Sequence, residues 1–226
     1  MDTALLANTI LFEGISEEEI KVLLPCLGAR EKRYHKGEVV MHAGEITTTM
    51  GLVIEGGVNV TVVFSRGDVS VFGYMEPGDI FSESFAAIPD KELPCDIVAV
   101  ENSRILFIEM EKLLTTCHHS CEFHSRIIRN LVRMEATKVL KMGARMIHTA
   151  PKTIREKLLS YFDEQVMENG SYSFTIPFSR QQLADYLGVD RSALSNELSK
   201  MRRDGLVSFR KNEFTLNKNA AGYLRK

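Results

Sequence analysis

Residues 179–205, SRQQLADYLGVDRSALSNELSKMRRDG, decide the fold. Ser179 is placed to cap a first helix whose apolar positions are Leu183, Ala184 and Leu187. Gly188-Val189 makes a tight turn, and Asp190 caps a second helix that turns Ala193, Leu194, Leu198 and Met201 inward. Two short helices joined by a glycine turn make a helix-turn-helix. The second helix is left with Arg191, Ser192, Ser195, Asn196 and Ser199 outward: short polar groups behind one long, forked donor. Such a face suits the major groove, where Arg grips guanine and Asn grips adenine through paired hydrogen bonds. Leu206 to Arg210 and Glu213 to Leu216, turning at Lys211-Asn212, supply a two-stranded wing. The competing reading is a helical hairpin with a merely solvated face; the wing and the local basicity weigh against it.

Upstream, Tyr172 to Ile176 alternates as a strand does, after a turn at Glu168-Asn169-Gly170. Residues 152–167 form an amphipathic helix through Ile154, Leu158, Leu159, Tyr161, Phe162 and Val166, with Pro151 tolerated at its start. Residues 111–148 contain no proline and only Gly143, so they read as one long helix with two apolar faces. Ile128, Val132, Glu135, Val139, Met142 and Met146 follow a heptad spacing with one acidic member. Phe123, Ile127, Leu131, Met134 and Leu140 form the second face. Both faces are buried most simply if one packs on the chain's own sheet domain and one on a symmetry mate. The alternative is a helix buried within a monomer.

Residues 33–110 change to short β-rich runs with turns at roughly ten-residue spacing. The runs are 39–41, 50–54, 58–64, 69–74, 96–100 and 105–109, the pattern of a roll, barrel or sandwich. Residues 1–30 read as short helices, with Ser16 as a cap before Glu17, Glu18 and Glu19. The fold class is therefore α+β: an N-terminal β-roll (1–110), a long dimerisation helix (111–148) and a C-terminal winged helix-turn-helix (149–226). A hydrophobic content of 44% and a charged content of 26% exclude a disordered chain or a rod. The longest run without a charge, Asn169 to Ser179, is 11 residues, short of the roughly 18 that a membrane helix needs. The start carries no basic leader, so the chain is expected in the cytoplasm.

The overall charge of −2 conceals a division: residues 1–112 carry −10, residues 113–148 carry +4 and residues 149–226 carry +4. The C-terminal half thus suits a polyanion that the N-terminal half repels. These parts, in this order, resemble the cyclic-AMP receptor protein and fumarate-nitrate regulator (Crp/Fnr) superfamily of bacterial transcription factors. The residues that carry the likeness are LFEGISEEEI, HKGEVVMHAGE, EPGDIFSES, the long helix and the helix-turn-helix. The resemblance implies a cyclic-nucleotide-binding-type β-roll and a non-enzymatic DNA-binding regulator. Arg191 matches the arginine that contacts guanine in the family, Ser192 and Asn196 the positions that tune the site, and Ser179, Arg180 and Gln181 those that hold phosphates. The implied partners are double-stranded DNA with a palindromic operator, a second copy of the chain, RNA polymerase and a small-molecule effector, with no membrane.

One departure bears on the effector. Nucleotide-binding members have Gly-Glu after the GD-x-F turn and then an Arg-Ser or Arg-Thr pair that neutralises the cyclic phosphate. Here the turn leads to Ser82-Glu83, and the pair falls at about Leu93-Pro94. No arginine lies between Arg66 and Arg104, so a phosphate would lack its charged fork, which argues against cyclic AMP. Gly78, Ser82, Glu83 and Ser84 are the expected effector pocket, although Glu83 also reads as a solvated loop carboxylate.

Cys117, Cys121 and His124 fall at i, i+4 and i+7 of a helix and so share a face, which allows a metal or haem site for redox or gas sensing. Small buried residues are the alternative. An iron-sulfur cluster needs about four cysteines, and the N-terminal region offers only Cys26. No cofactor is assigned. A cupin-like enzyme lacks its H-x-H pair, and a nucleotide-gated subunit acting on a protein has no need of the winged motif. Thr149-Ala150-Pro151 is the expected hinge between DNA-competent and incompetent dimers.

Overall fold

A computed structural model describes residues 2–63, 69–115 and 122–217. By its contacts the chain divides into two compact units, Met1–Glu135 and Ala136–Lys226.

The first unit opens with α1 (Thr3–Ala7), a 3-10 turn (Ile10–Phe12) and α2 (Glu17–Cys26). Ser16 and Glu19 close a capping box at the start of α2, so three carboxylates sit where the helix dipole favours them. Among the described residues eight strands follow: β1 (Arg30–Tyr34), β2 (Val39–Met41), β3 (Thr49–Glu55), β4 (Val58–Val63), β5 (Val69–Met75), β6 (Ile80–Phe81), β7 (Asp96–Ala99) and β8 (Ser103–Glu109). The short α3 (Glu83–Ala86) lies between β6 and β7. The strands make two antiparallel four-stranded sheets, β1-β8-β3-β6 and β2-β7-β4-β5.

Strand periodicity explains why β3 and β8 read as continuous apolar runs. Met50, Leu52, Ile54, Leu106 and Ile108 point into a core shared with α1, α2 and the next helices. Val53, Ile105 and Phe107, on the alternate face, join Met41, Val58 and Ile97 of the other sheet in the roll interior. Gly51 is required here, because a Cβ at that position would lie 2.1 Å from the Phe81 ring.

β1, REKRY, was not expected from sequence. It is an edge strand rich in charge, held by Arg104, which pairs with Glu31 of β1 at 2.9 Å and Glu55 of β3 at 3.0 Å. The Arg104 guanidinium holds the Glu31 carboxyl below its ordinary value.

The expected single helix over 111–148 is corrected to two. α4 (Met110–Leu114) ends at Thr115, whose extended backbone (φ −92°, ψ 120°) leaves the helix, and α5 runs Glu122–Thr149. The first half of α5 buries Ile127 and Leu131 against the α1–α2 core. Asn130 donates to the carbonyls of Leu11 (3.0 Å) and Glu13 (2.9 Å), and Arg133 pairs with Glu13 at 3.1 Å. Val132, Val139, Met142 and Met146 of the heptad stripe are exposed, at 61% to 70%. Leu140, expected on the buried face, is exposed as well.

The second unit continues with α6 (Ile154–Asn169), β9 (Ser173–Thr175), α7 (Arg180–Leu187), α8 (Arg191–Arg203), β10 (Val207–Arg210) and β11 (Glu213–Leu216). The cap of α6 is Thr153, in a capping box with Glu156, so Pro151 lies before the helix and not in its first turn. The wing has a third strand, in the order β10-β11-β9. Phe162, Phe174 and Phe214 meet in its core with ring centroids 4.8 to 6.2 Å apart.

Candidate nucleic-acid interface

The helix pair is built by its caps. Ser179 Oγ accepts from Gln182 N while Gln182 Oε1 accepts from Ser179 N, closing the start of α7. Gly188 takes the left-handed conformation (φ 62°, ψ 49°) that ends α7 and turns the chain. Asp190 then caps α8, accepting from Ala193 N at 2.9 Å and from the Ser192 hydroxyl. Those two bonds, the Ser192 one first, hold the Asp190 carboxyl below its usual range.

Leu194, Leu198 and Met201 of α8 are fully buried, which leaves Arg191, Ser192, Ser195, Asn196 and Ser199 exposed along one side. Ser199 Oγ donates to the Ser195 carbonyl at 2.9 Å, and Ser192 is held by Asp190. Arg191 and Asn196 have no side-chain partner among the described residues. A pair of forked or bidentate groups is thus available on an otherwise small polar face.

Ser179 and Arg180, with Pro177, Phe178, Gln182, Lys211 and Asn212, line a cleft of about 450 Å³ between the start of α7 and the wing turn. Gln181 lies one residue on, its amide donating to Asp185 at 2.9 Å. Arg180 is itself engaged: Nη2 donates to the Lys211 carbonyl at 2.7 Å, and the guanidinium lies 5.0 Å and 4.7 Å from the Phe209 and Phe214 ring centroids. Burial lowers its pKa from the ordinary value. Arg180 therefore ties the wing turn to the N-terminus of α7.

Gly78, Ser82, Glu83 and Ser84 lie along the turn into β6 and the opening of α3. Gly78 (φ 97°) and Ser82 (φ 61°) are left-handed, Glu83 is buried and Ser84 is exposed. Ser82 Oγ contacts Met41 Sδ at 3.3 Å. Behind them the roll interior is apolar. Phe107 packs edge-on against Phe81 (6.5 Å) and Tyr34 (6.4 Å), and Leu93 is 2% exposed in the same cluster. Cys95 is buried there too, and burial first, then Asp96, raises its thiol pKa, the state of an inert thiol.

Cys117 and Cys121 lie outside the described residues. His124 is 1% exposed; Nε2 donates to the Leu113 carbonyl at 2.9 Å, and the buried Nδ1 has no hydrogen-bond partner among the described residues. Among the described residues no three His, Cys, Asp or Glu side chains are grouped to hold a metal.

Sequence reading missed the residues that hold the helix pair from behind. Arg155 of α6 pairs with Glu197 (2.6 Å) and Asp204 (2.7 Å), holding the C-terminal half of α8, and those two carboxylates raise its pKa. Lys157 donates to the Leu187 carbonyl at 3.2 Å, placing a cation at the C-terminus of α7. Each partner lies 30 or more residues away, so no local pattern marks these side chains.

A β-roll, a long helix and a winged helix-turn-helix with an open recognition face define a class: DNA-binding regulators with a sensory domain. Residues 31–120 match the cyclic nucleotide-binding domain model and residues 125–221 the Crp-like helix-turn-helix domain model. The chain is 23% identical to the transcriptional activator protein FnrL of Cereibacter sphaeroides, over 78% of this chain and 72% of that protein. It is 20% identical to the nitrogen fixation regulation protein FixK of Bradyrhizobium diazoefficiens, over 79% of this chain and 74% of that one. Its fold is that of OCPA-complexed CprK, with a TM-score of 0.62 at 19% identity over 90% of this chain and 93% of the other. The chain belongs to the Crp/Fnr family of transcriptional regulators, whose members bind DNA and are not enzymes. Among the described residues no helix is long and apolar enough to cross a membrane.

Proposed function

We propose that the chain works as a homodimer on a palindromic operator, under the control of a small-molecule or redox effector other than cyclic AMP. The observation that carries this reading is the α8 face, with Arg191 and Asn196 unpartnered beside three buried apolar positions. Arg191 reads guanine, Asn196 reads adenine, and Ser192, Ser195 and Ser199 complete the contact. Ser179, Arg180 and Gln181 meet phosphates at the cleft beside the wing, where the helix N-terminus favours anions. The exposed Val132, Val139, Met142 and Met146 form the seam with a second copy. Two recognition helices then enter major grooves about 34 Å apart.

Residues 1–110 form the sensory domain, 111–148 the dimerisation segment and 149–226 the DNA-binding domain. The effector meets Gly78, Ser82, Glu83 and Ser84. Leu93, which falls about where the family's phosphate-binding pair stands, is buried among apolar side chains, and this supports an effector other than cyclic AMP. RNA polymerase is the further partner. In vitro site selection with the full chain tests the reading: a two-fold operator is expected, and Arg191→Ala should relax the guanine preference in each half-site. An unchanged preference in that variant would overturn the assignment.

His124 favours a second reading. Among the described residues its buried Nδ1, at the start of α5, meets no hydrogen-bond donor, which fits the nitrogen ligand of a metal or haem shared with Cys117 and Cys121. Protein purified without oxygen should then carry stoichiometric metal or a haem band that Cys117→Ser abolishes; a colourless, metal-free protein would remove this reading.

A further inference from the structure

The end of α5 reaches one residue of α7 with two side chains. Arg145 donates from Nε to the Tyr186 carbonyl (3.0 Å) and from Nη2 to the Asp185 carbonyl (3.1 Å), and its guanidinium lies 5.6 Å from the Tyr186 ring centroid. One turn on, His148 Nδ1 is 2.8 Å from Tyr186 Oη, and His148 Nε2 is 3.3 Å from the Glu164 carboxylate of α6. The roles follow from chemistry. A carboxylate only accepts, so the Nε2 that faces it carries the hydrogen, and the phenol then donates to Nδ1 of a neutral ring. His148 is 2% exposed and meets the Tyr161 ring edge-on at 5.4 Å. Tyr186 is thus gripped by its backbone and by its hydroxyl, from two residues that are neighbours on one helix face.

All of this lies within Ala136–Lys226. Val139, Met142 and Met146, the exposed apolar positions of the same helix turns, face another way. One short length of α5 therefore carries a seam on one side and a grip on α7 on another. Apolar packing alone tolerates rotation, whereas hydrogen bonds weaken steeply off line and so fix an angle. α8 follows α7 because Leu183, Leu187, Leu194 and Leu198 share one buried core.

We infer that Arg145 and His148 are positioning residues: through Tyr186 they set the bearing of the α7–α8 recognition motif on the end of α5, and with it the half-site spacing that a dimer accepts. This rests on the operator reading above. None of the three residues needs to touch DNA for the effect.

The test uses the full chain and the operator that wild-type protein selects. Affinity is measured on that operator and on copies with one base pair inserted or deleted between the half-sites, a change that turns one half-site by about 35°. Wild type should reject the altered spacings. Tyr186→Phe keeps the ring and the carbonyl that Arg145 holds, and removes only the hydroxyl. It should melt close to wild type, and its preference for the selected spacing should fall by about fivefold, the factor one net hydrogen bond is worth. Arg145→Ala should lower the preference further, and Arg145→Lys, which retains a donor, should restore part of it. If Tyr186→Phe and Arg145→Ala, melting normally, keep the wild-type preference or lose affinity equally on every spacing, the three residues only stabilise the motif and the inference fails. Should Arg145→Ala not fold, Tyr186→Phe decides. If wild type itself selects no two-fold operator, the operator reading fails first and takes this one with it.

Discussion

Arg191 and Arg180 are both arginines at the first position of a helix, yet their surroundings give them different work. Arg191 has no partner among the described residues, whereas Arg180 is stacked on Phe209 and Phe214 and bonded to the Lys211 carbonyl. Arg191→Ala should lower specific operator affinity by about tenfold or more, the worth of one bidentate base contact, and leave non-specific binding nearly unchanged in gel shifts. Arg180→Ala should also lower the melting temperature of the wing-bearing unit, because it removes packing as well as charge. Gly51 records how full the roll interior is. Gly51→Ala drives a methyl into the Phe81 ring and should destabilise the first unit by about 1–3 kcal/mol in urea unfolding.

His148 supplies a pH dependence of known sign. Burial lowers its pKa from 6.5 against the opposing pull of Glu164 and Glu168, so the folded chain holds it neutral while the unfolded chain takes up the proton first. That contribution to stability is complete above the unfolded value and is lost as the pH falls from about 6.5 toward the lower folded value. Thermal melts of the wild type should drop across this range, and those of His148→Gln should drop less.

At the scale of elements, the caps were the most legible features. Ser16, Ser179 and Asp190 all cap as their short acceptors and following residues imply. At α6 the cap is not the nearby proline but Thr153, whose hydroxyl and Glu156 partner make the same box. Thr153→Ala should cost about 1 kcal/mol in the unfolding of the second unit. β1 was illegible because its five residues are mostly charged and its partners, such as Arg104 of β8, lie some 70 residues away. The break at Thr115 was hidden for the opposite reason. No proline or glycine in residues 111–121 forbids a helix; Met110 and Leu113 are buried in the first core, and the backbone leaves the helix at Thr115.

At the scale of the whole molecule, the proposed seam makes a direct prediction. Val139→Glu with Met142→Glu places charge on exposed positions that no core of the chain needs. The doubly substituted chain should keep its melting temperature, sediment as a monomer and lose the operator affinity that comes from holding two half-sites at once. Unchanged sedimentation would place the dimer contact elsewhere.

Sequence alone determined what depends on neighbours within a turn or a strand pair. The 3.6-residue and two-residue spacings, the caps, the glycine turns and the charge division suffice for a roll, a long helix and a winged helix-turn-helix. Tertiary structure alone decided which polar side chains are spent on holding the frame. Arg155 meets Glu197 42 residues on, His148 meets Tyr186 38 on and Arg180 meets Lys211 31 on. The apolar filling of the roll behind Glu83 was decided in the same way, by Leu93, Phe81 and Phe107 converging from three separate segments. A side chain's partner is a matter of distance in space, and only the closing of the chain brings these groups to within 3 to 6 Å of one another.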